Sequence, residues 1–202
     1  MSYSLPVGHR QDLLAAARRL LRTKGYARIT ARDLVAESDT NLASIGYHFG
    51  SKEGLLNEAL GEAVEEWTVQ LARVAMADPD ASTAERGISA WSAMLEGLDG
   101  HRELAVSYLE ALAQAERDPV VREQFARQYR RCRERVAELV AESLGDGTTA
   151  ADPKVRTIAG FVIAVCDGLA VQWVLDPEES PSPAELREGL ERFWRPVHHA
   201  DR

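Results

Sequence analysis

Residues Asn41–Leu56 read NLASIGYHFGSKEGLL. The stretch holds one short helix, from about Asn41 to His48, and the start of a long one capped by Ser51. Projected at about 100° per residue, Leu42, Ile45 and Phe49 fall on one stripe, with Ala43, Ser44, Tyr47 and His48 largely opposite. So short a helix needs partners for its stripe. They stand upstream, as Leu34 and Val35 of a preceding short helix and Leu20 and Leu21 of the first. Three short helices around one small core, the last two joined by the tight turn ESDT, predict a helix-turn-helix. Such a unit presents the N-terminal part and outer face of its second helix to a major groove.

The residue types suit that surface. Asn41 and Ser44 can hydrogen-bond base edges or phosphates, and Ala43 can rest against a thymine methyl. Tyr47 and His48 offer a hydroxyl and an imidazole N–H to phosphate oxygens. Lys52 stands in the first turn of the fourth helix, where the helix dipole disfavours a cation. A phosphate seated on the free amides of that same end reverses the sign, so Lys52 reads as half of a phosphate clamp. Thr30, Arg32 and Thr40 complete the expected DNA-binding set.

Outward from this motif, the chain reads as all-α with about nine helices. The run RQDLLAAARRLLRTKG places Leu13, Leu14, Ala17, Leu20 and Leu21 at helical spacing and stops at Gly25. Thr30 with Asp33 and Ser82 with Glu85 make capping boxes. Asp118-Pro119, Asp152-Pro153 and Ser182-Pro183 each set a side-chain cap before a proline at the first helical position. No run alternates with period two.

The 202 residues carry a formal charge of −8, unevenly spread. Residues 1–54 hold eight Lys/Arg against five Asp/Glu, a net +3, and the remainder holds 16 against 27, a net −11. A basic head on an acidic body fits a head that meets polyanions. The expected division is a DNA-binding domain over 8–56, with its motif at about 30–49, and a helical ligand-binding and dimerisation domain over 57–202. No signal peptide is visible in MSYSLPVGHRQDLL. Cys132 and Cys166 make no disulfide framework or zinc set and read as buried thiols in a reducing cytoplasm.

The eighth helix, VRTIAGFVIAVCDGLAVQWVLDP, is apolar nearly all round. Asp167, Gln172 and Arg156 argue against a membrane span, since an acidic residue near a bilayer centre is costly. A soluble helix with no polar face must be covered on every side. One side can pack on its own domain and the other on a second subunit.

From Ile29 to Leu56, ITARDLVAESDTNLASIGYHFGSKEGLL resembles, without gaps, the DNA-binding domain of the TetR-type transcriptional regulators. That pattern runs through an aromatic, then His or Tyr, then Phe, and closes on Ser-Lys-Glu-x-Leu. CDGLAVQWVLDP is similar to the end of helix eight in many members. Asp39 stands where the family usually has glycine, and Asp tolerates a left-handed backbone better than most residues. Gly46 replaces a commonly larger residue and costs about 1 kcal/mol of helix propensity. The resemblance implies a homodimer paired through helices of about 153–175 and 183–195. It also implies a small-molecule effector of unknown identity held among the central helices, for which Trp91, Met94, Tyr108, Phe125, Tyr129, Asp167 and Trp173 are the candidates.

No Gly-rich phosphate loop, His-Glu-x-x-His or Glu-x-x-His occurs, so no enzyme, metal site or cofactor is expected. His198 and His199 read as a frayed tail. The sequence thus predicts a cytoplasmic regulator, a repressor released from a palindromic double-stranded operator by a ligand, with no membrane partner. The alternatives are a TetR-type activator, a repressor without ligand response, or a helical adaptor that binds protein.

Overall fold

The computed structural model describes residues 8–194, and among these the chain is all-helical. Its α-helices are α1 (Gly8–Thr23), α2 (Ala31–Ser38), α3 (Leu42–Phe49), α4 (Lys52–Ala75), α5 (Thr83–Leu98), α6 (Arg102–Ala115), α7 (Pro119–Leu144), α8 (Pro153–Leu175) and α9 (Pro183–Trp194). Three-residue 3-10 turns cover Tyr26–Arg28 and Asp99–His101. The expected extension of the last helix to Arg195 and the His198–His199 pair lie outside the described residues.

The expected caps are formed. Thr30 Oγ1 accepts from the Asp33 N–H, and Asp33 Oδ2 accepts from the Thr30 N–H at 2.8 Å. Ser82–Glu85 and Ser182–Glu185 make the same reciprocal pair. Asp118 accepts from the Val120 N–H at 2.8 Å and Asp152 from the Lys154 N–H at 2.7 Å. Each supplies a partner to amides that the first helical turn leaves unpaired. Asp39 closes α2 in the left-handed region, at φ 51° and ψ 41°.

The described residues fall into two compact units. One comprises residues 8–68 and 100–132, the other 69–99 and 133–194. These units do not follow the division at residue 56, because α6 and the first half of α7 pack with the three short helices. In the first unit, Leu13 and Leu21 of α1, Leu34 of α2, Ile45 of α3 and Leu55, Leu56 and Leu60 of α4 share one core with Leu104 and Phe125. Leu42, expected in the α3 stripe, is instead 55% exposed.

Part of the first unit is held by polar contacts. Tyr26 donates its hydroxyl to Asn57 Oδ1 at 3.0 Å, and Asn57 Nδ2 donates to Gln124 Oε1 at 3.0 Å. Gly61 lies against the Gln128 side chain, and Thr68 Oγ1 stands 3.9 Å from Cys132 Sγ. The α4 positions 57, 61 and 68 thus meet 124, 128 and 132 of α7 in the same order, so the two helices run parallel along a polar seam. Burial pushes the Tyr26 phenol well above its usual range, with the charge of Glu53 adding to the rise.

In the second unit, Ile88, Trp91, Met94 and Leu95 of α5 are buried. Trp91 Nε1 donates to the Val162 carbonyl of α8 at 3.2 Å, and its ring lies 6.0 Å from that of Trp194. Arg86, buried, donates to the carbonyls of Pro79 and Ala81 and so fastens the loop before α5. Val155, Ala159, Ile163, Leu169 and Trp173 line the buried side of α8, while Phe161, Val171 and Leu175 are exposed. Among the described residues, α8 is the one helix long and apolar enough to cross a membrane. Cys132 and Cys166 are half-buried, not enclosed as expected.

Candidate nucleic-acid interface

The helix-turn-helix is built on α2 and α3, with α1 packed against both. The Asn41 side chain caps α3, its Oδ1 accepting from the Ser44 N–H at 3.1 Å. At the other end Gly50 adopts φ 75°, which glycine takes without strain. Gly54 then passes so close to α3 that a Cβ there would stand 2.2 Å from the Phe49 carbonyl oxygen. These two glycines make the corner between α3 and α4. Ser51 Oγ accepts from the Gly54 N–H at 2.9 Å and starts the long helix.

Burial corrects the expected face of α3. Ser44 is only 1% exposed, with its hydroxyl 3.4 Å from His9 Nδ1 of α1, so it looks into the core and not toward a groove. His48 is half-buried, and its Nε2 is enclosed without a hydrogen-bond partner among the described residues. The ring sits edge-on to Tyr47, with centroids 4.8 Å apart. The buried arc is rotated toward Ser44 and His48 by roughly half of the ~100° step between residues. The cause is the start of α1: His9 approaches Ser44, and the Arg10 guanidinium lies 5.3 Å over the Phe49 ring while pairing with Glu58 of α4.

Tyr47 is 70% exposed, and Ala43, Asn41, Thr30 and Arg32 are also exposed. Thr40 is half-buried, its hydroxyl 2.7 Å from Ser38 Oγ. Lys52 is not a free clamp. Its Nζ donates to the Ile29 carbonyl at 2.9 Å and lies 3.4 Å from Glu53 Oε1, which offsets the unfavourable helix end by local contacts. Beside Thr30, the Lys24 ammonium and the Thr30 donors hold the Asp33 carboxyl at about 2, below the usual range.

Leu42 and Gly46 are also exposed on α3. The projection of α3 alone put Leu42 in the core, and only the position of α1 tells otherwise. The effector candidates divide between the units, with Tyr108, Phe125 and Tyr129 in the first and Trp91, Met94, Asp167 and Trp173 in the second. Tyr108 and Phe125 meet edge to face, with centroids 5.6 Å apart.

Residues 13–59 match the family described as bacterial regulatory proteins, tetR family. Residues 83–195, more than half of the chain, match the C-terminal part of the BetI-type transcriptional repressors. The chain belongs to the TetR family. It is a transcriptional regulator with a helix-turn-helix DNA-binding domain. Among its relatives is the HTH-type transcriptional repressor AcnR of Corynebacterium glutamicum, 27% identical over 81% of this chain and 80% of AcnR. The crystal structure of SCO1917, a TetR-family member from Streptomyces coelicolor A3, is 30% identical with a TM-score of 0.61, covering 93% of this chain and 98% of that one. The multidrug binding protein EbrR complexed with proflavin is 29% identical with a TM-score of 0.63, covering 91% and 98%.

Proposed function

We propose that this TetR-family regulator is a cytoplasmic repressor that binds a palindromic operator as a homodimer and is released by a small molecule. One observation carries the DNA reading: α3 holds the Tyr47 ring and hydroxyl out in water, on a short helix whose opposite side is core. Asn41, Ala43, Thr30 and Arg32 share that exposure, and the head around them carries a net +3. Exposed Phe161, Val171 and Leu175 of α8 and Phe193 of α9 support pairing through helices of about 153–175 and 183–195. A two-fold axis there would set two recognition helices about 34–36 Å apart, or a multiple of it.

For release, α4 contributes residues to both compact units. A ligand shifts DNA affinity only by preferring the state with α4 displaced. Coupling of about 1–3 kcal/mol is the usual scale for such switches. Trp91, Met94, Tyr108, Phe125, Tyr129, Asp167 and Trp173 remain the effector candidates. EbrR is complexed with proflavin, and a body of net charge −11 suits an organic cation. The burial of Trp91, Met94 and Phe125 favours one second reading, a repressor with no effector in which these residues serve packing.

The test is selection of duplex fragments from genomic DNA by the purified protein, followed by release with a panel of organic cations. Selection of palindromic fragments that proflavin-like cations release supports the proposal. Selection without release by any compound leaves the ligand-free repressor. Failure to retain any duplex at low salt would overturn the operator reading.

A further inference from the structure

The side that α3 turns to solvent is nearly bare of hydrogen-bonding groups. Leu42, its first residue, is 55% exposed, and Ala43 beside it is exposed too. Gly46 lies one turn beyond Leu42, and a Cβ there would meet nothing within 4 Å, so the leucine's flank is open. In the first turn the Asn41 carbonyl is taken up in capping the helix, and Ser44 is enclosed. Tyr47 supplies the one hydroxyl on this side.

An aliphatic side chain held in water on the groove-facing helix of a basic head finds no hydrogen-bonding partner on a base edge. Of the groups a major groove presents, the thymine 5-methyl is the apolar one. We propose that Leu42 is a specificity-determining residue that reads a thymine 5-methyl group in each operator half-site. The inference rests on the DNA-binding reading above. Sequence preference at that step then comes from burial of one methyl group against Leu42, with no hydrogen bond made or lost. Ala43 and Gly46 serve by leaving room for it.

The experiment takes a duplex selected by the full-length protein and replaces thymine with uracil, one position at a time, which deletes only the 5-methyl group. Affinity is measured by fluorescence anisotropy for the wild type and for Leu42→Ala, whose fold is checked by circular dichroism. The wild type should bind about four-fold less tightly at one position per half-site, the scale of burying one methyl-sized group. Leu42→Ala should bind the thymine and uracil duplexes at that position equally. Wild-type indifference to uracil at every position overturns the inference and leaves DNA binding intact, as does full uracil sensitivity in Leu42→Ala. Binding to no duplex overturns the operator reading and this inference together.

Discussion

Lys52 and Ile29 are joined across 23 residues of chain, the lysine ammonium donating to the isoleucine carbonyl at 2.9 Å. That carbonyl immediately precedes the Thr30 cap, so one side chain ties the start of α4 to the start of α2. An ammonium has three donors, which leaves capacity for a phosphate beside the carbonyl. Lys52→Ala should therefore lose about 1 kcal/mol of stability in urea, the scale of a partly exposed hydrogen bond to a charged group. It should also weaken binding to all sequences and flatten the salt slope by about one unit. A lowered stability with an unchanged salt slope would confine Lys52 to fastening α2 onto α4.

Asp33 gives the helix-turn-helix a defined acid limit. Its carboxyl is held at about 2, below the ordinary value of 3.8, first by the Lys24 ammonium and then by Thr30. A carboxyl depressed in the fold contributes stability that is fully present above the unfolded value. That contribution fades as pH falls from about 3.8 towards about 2. Asp33→Asn should be less stable than wild type at neutral pH, and the difference should shrink across that window. Urea midpoints measured against pH check it, and a difference independent of pH would contradict it.

Two glycines in neighbouring helices should respond in opposite ways to the same substitution. At Gly46 a Cβ meets open space, so Gly46→Ala should stabilise the chain by about 1 kcal/mol through helix propensity. At Gly54 the new Cβ would collide with the Phe49 carbonyl, a backbone atom that cannot step aside alone. Gly54→Ala should destabilise the corner between α3 and α4 and lower DNA affinity with it. Thermal or urea unfolding of the two variants decides it, and equal effects would contradict the corner geometry.

Pairing through α8 can be broken from its exposed side. Phe161→Glu and Leu175→Glu place charges on apolar positions that are 54% and 78% exposed, and although the Phe161 ring also meets Trp91 edge to face, both variants should stay folded. Light scattering at micromolar concentration should find the wild type dimeric and Phe161→Glu monomeric. The monomer should lose most of its preference for a palindrome over an isolated half-site. A wild type that is monomeric with and without DNA would refute the pairing.

The helix starts were legible because capping is local. Thr30, Ser82, Asp118, Asp152 and Ser182 each satisfy amides two or three residues away, which needs no knowledge of the fold. Asp39 was legible for the same reason, since one residue's own backbone preference decides the turn. Ser44, His48 and Leu42 were not, because their burial depends on where the start of α1 lies against α3. A projection of one helix places a stripe to within about one residue's step and cannot say which neighbour covers its edge. The partner of Lys52 was hidden differently. A backbone carbonyl 23 residues away carries no side-chain signal at all.

The outward positions of α3 have a further consequence. Leu42, Ala43, Gly46 and Tyr47 lie on the side of the helix away from the core that Leu13, Leu34, Ile45 and Leu56 hold together. Substitutions at these four positions therefore leave the packed core untouched, and in the proposed reading selection acts on them mainly through the operator. After gene duplication, one copy could drift to a new set of promoters by changing these residues while its fold stayed as it was. A library randomised at these four positions should accordingly yield mostly soluble, folded regulators that differ in the DNA they choose.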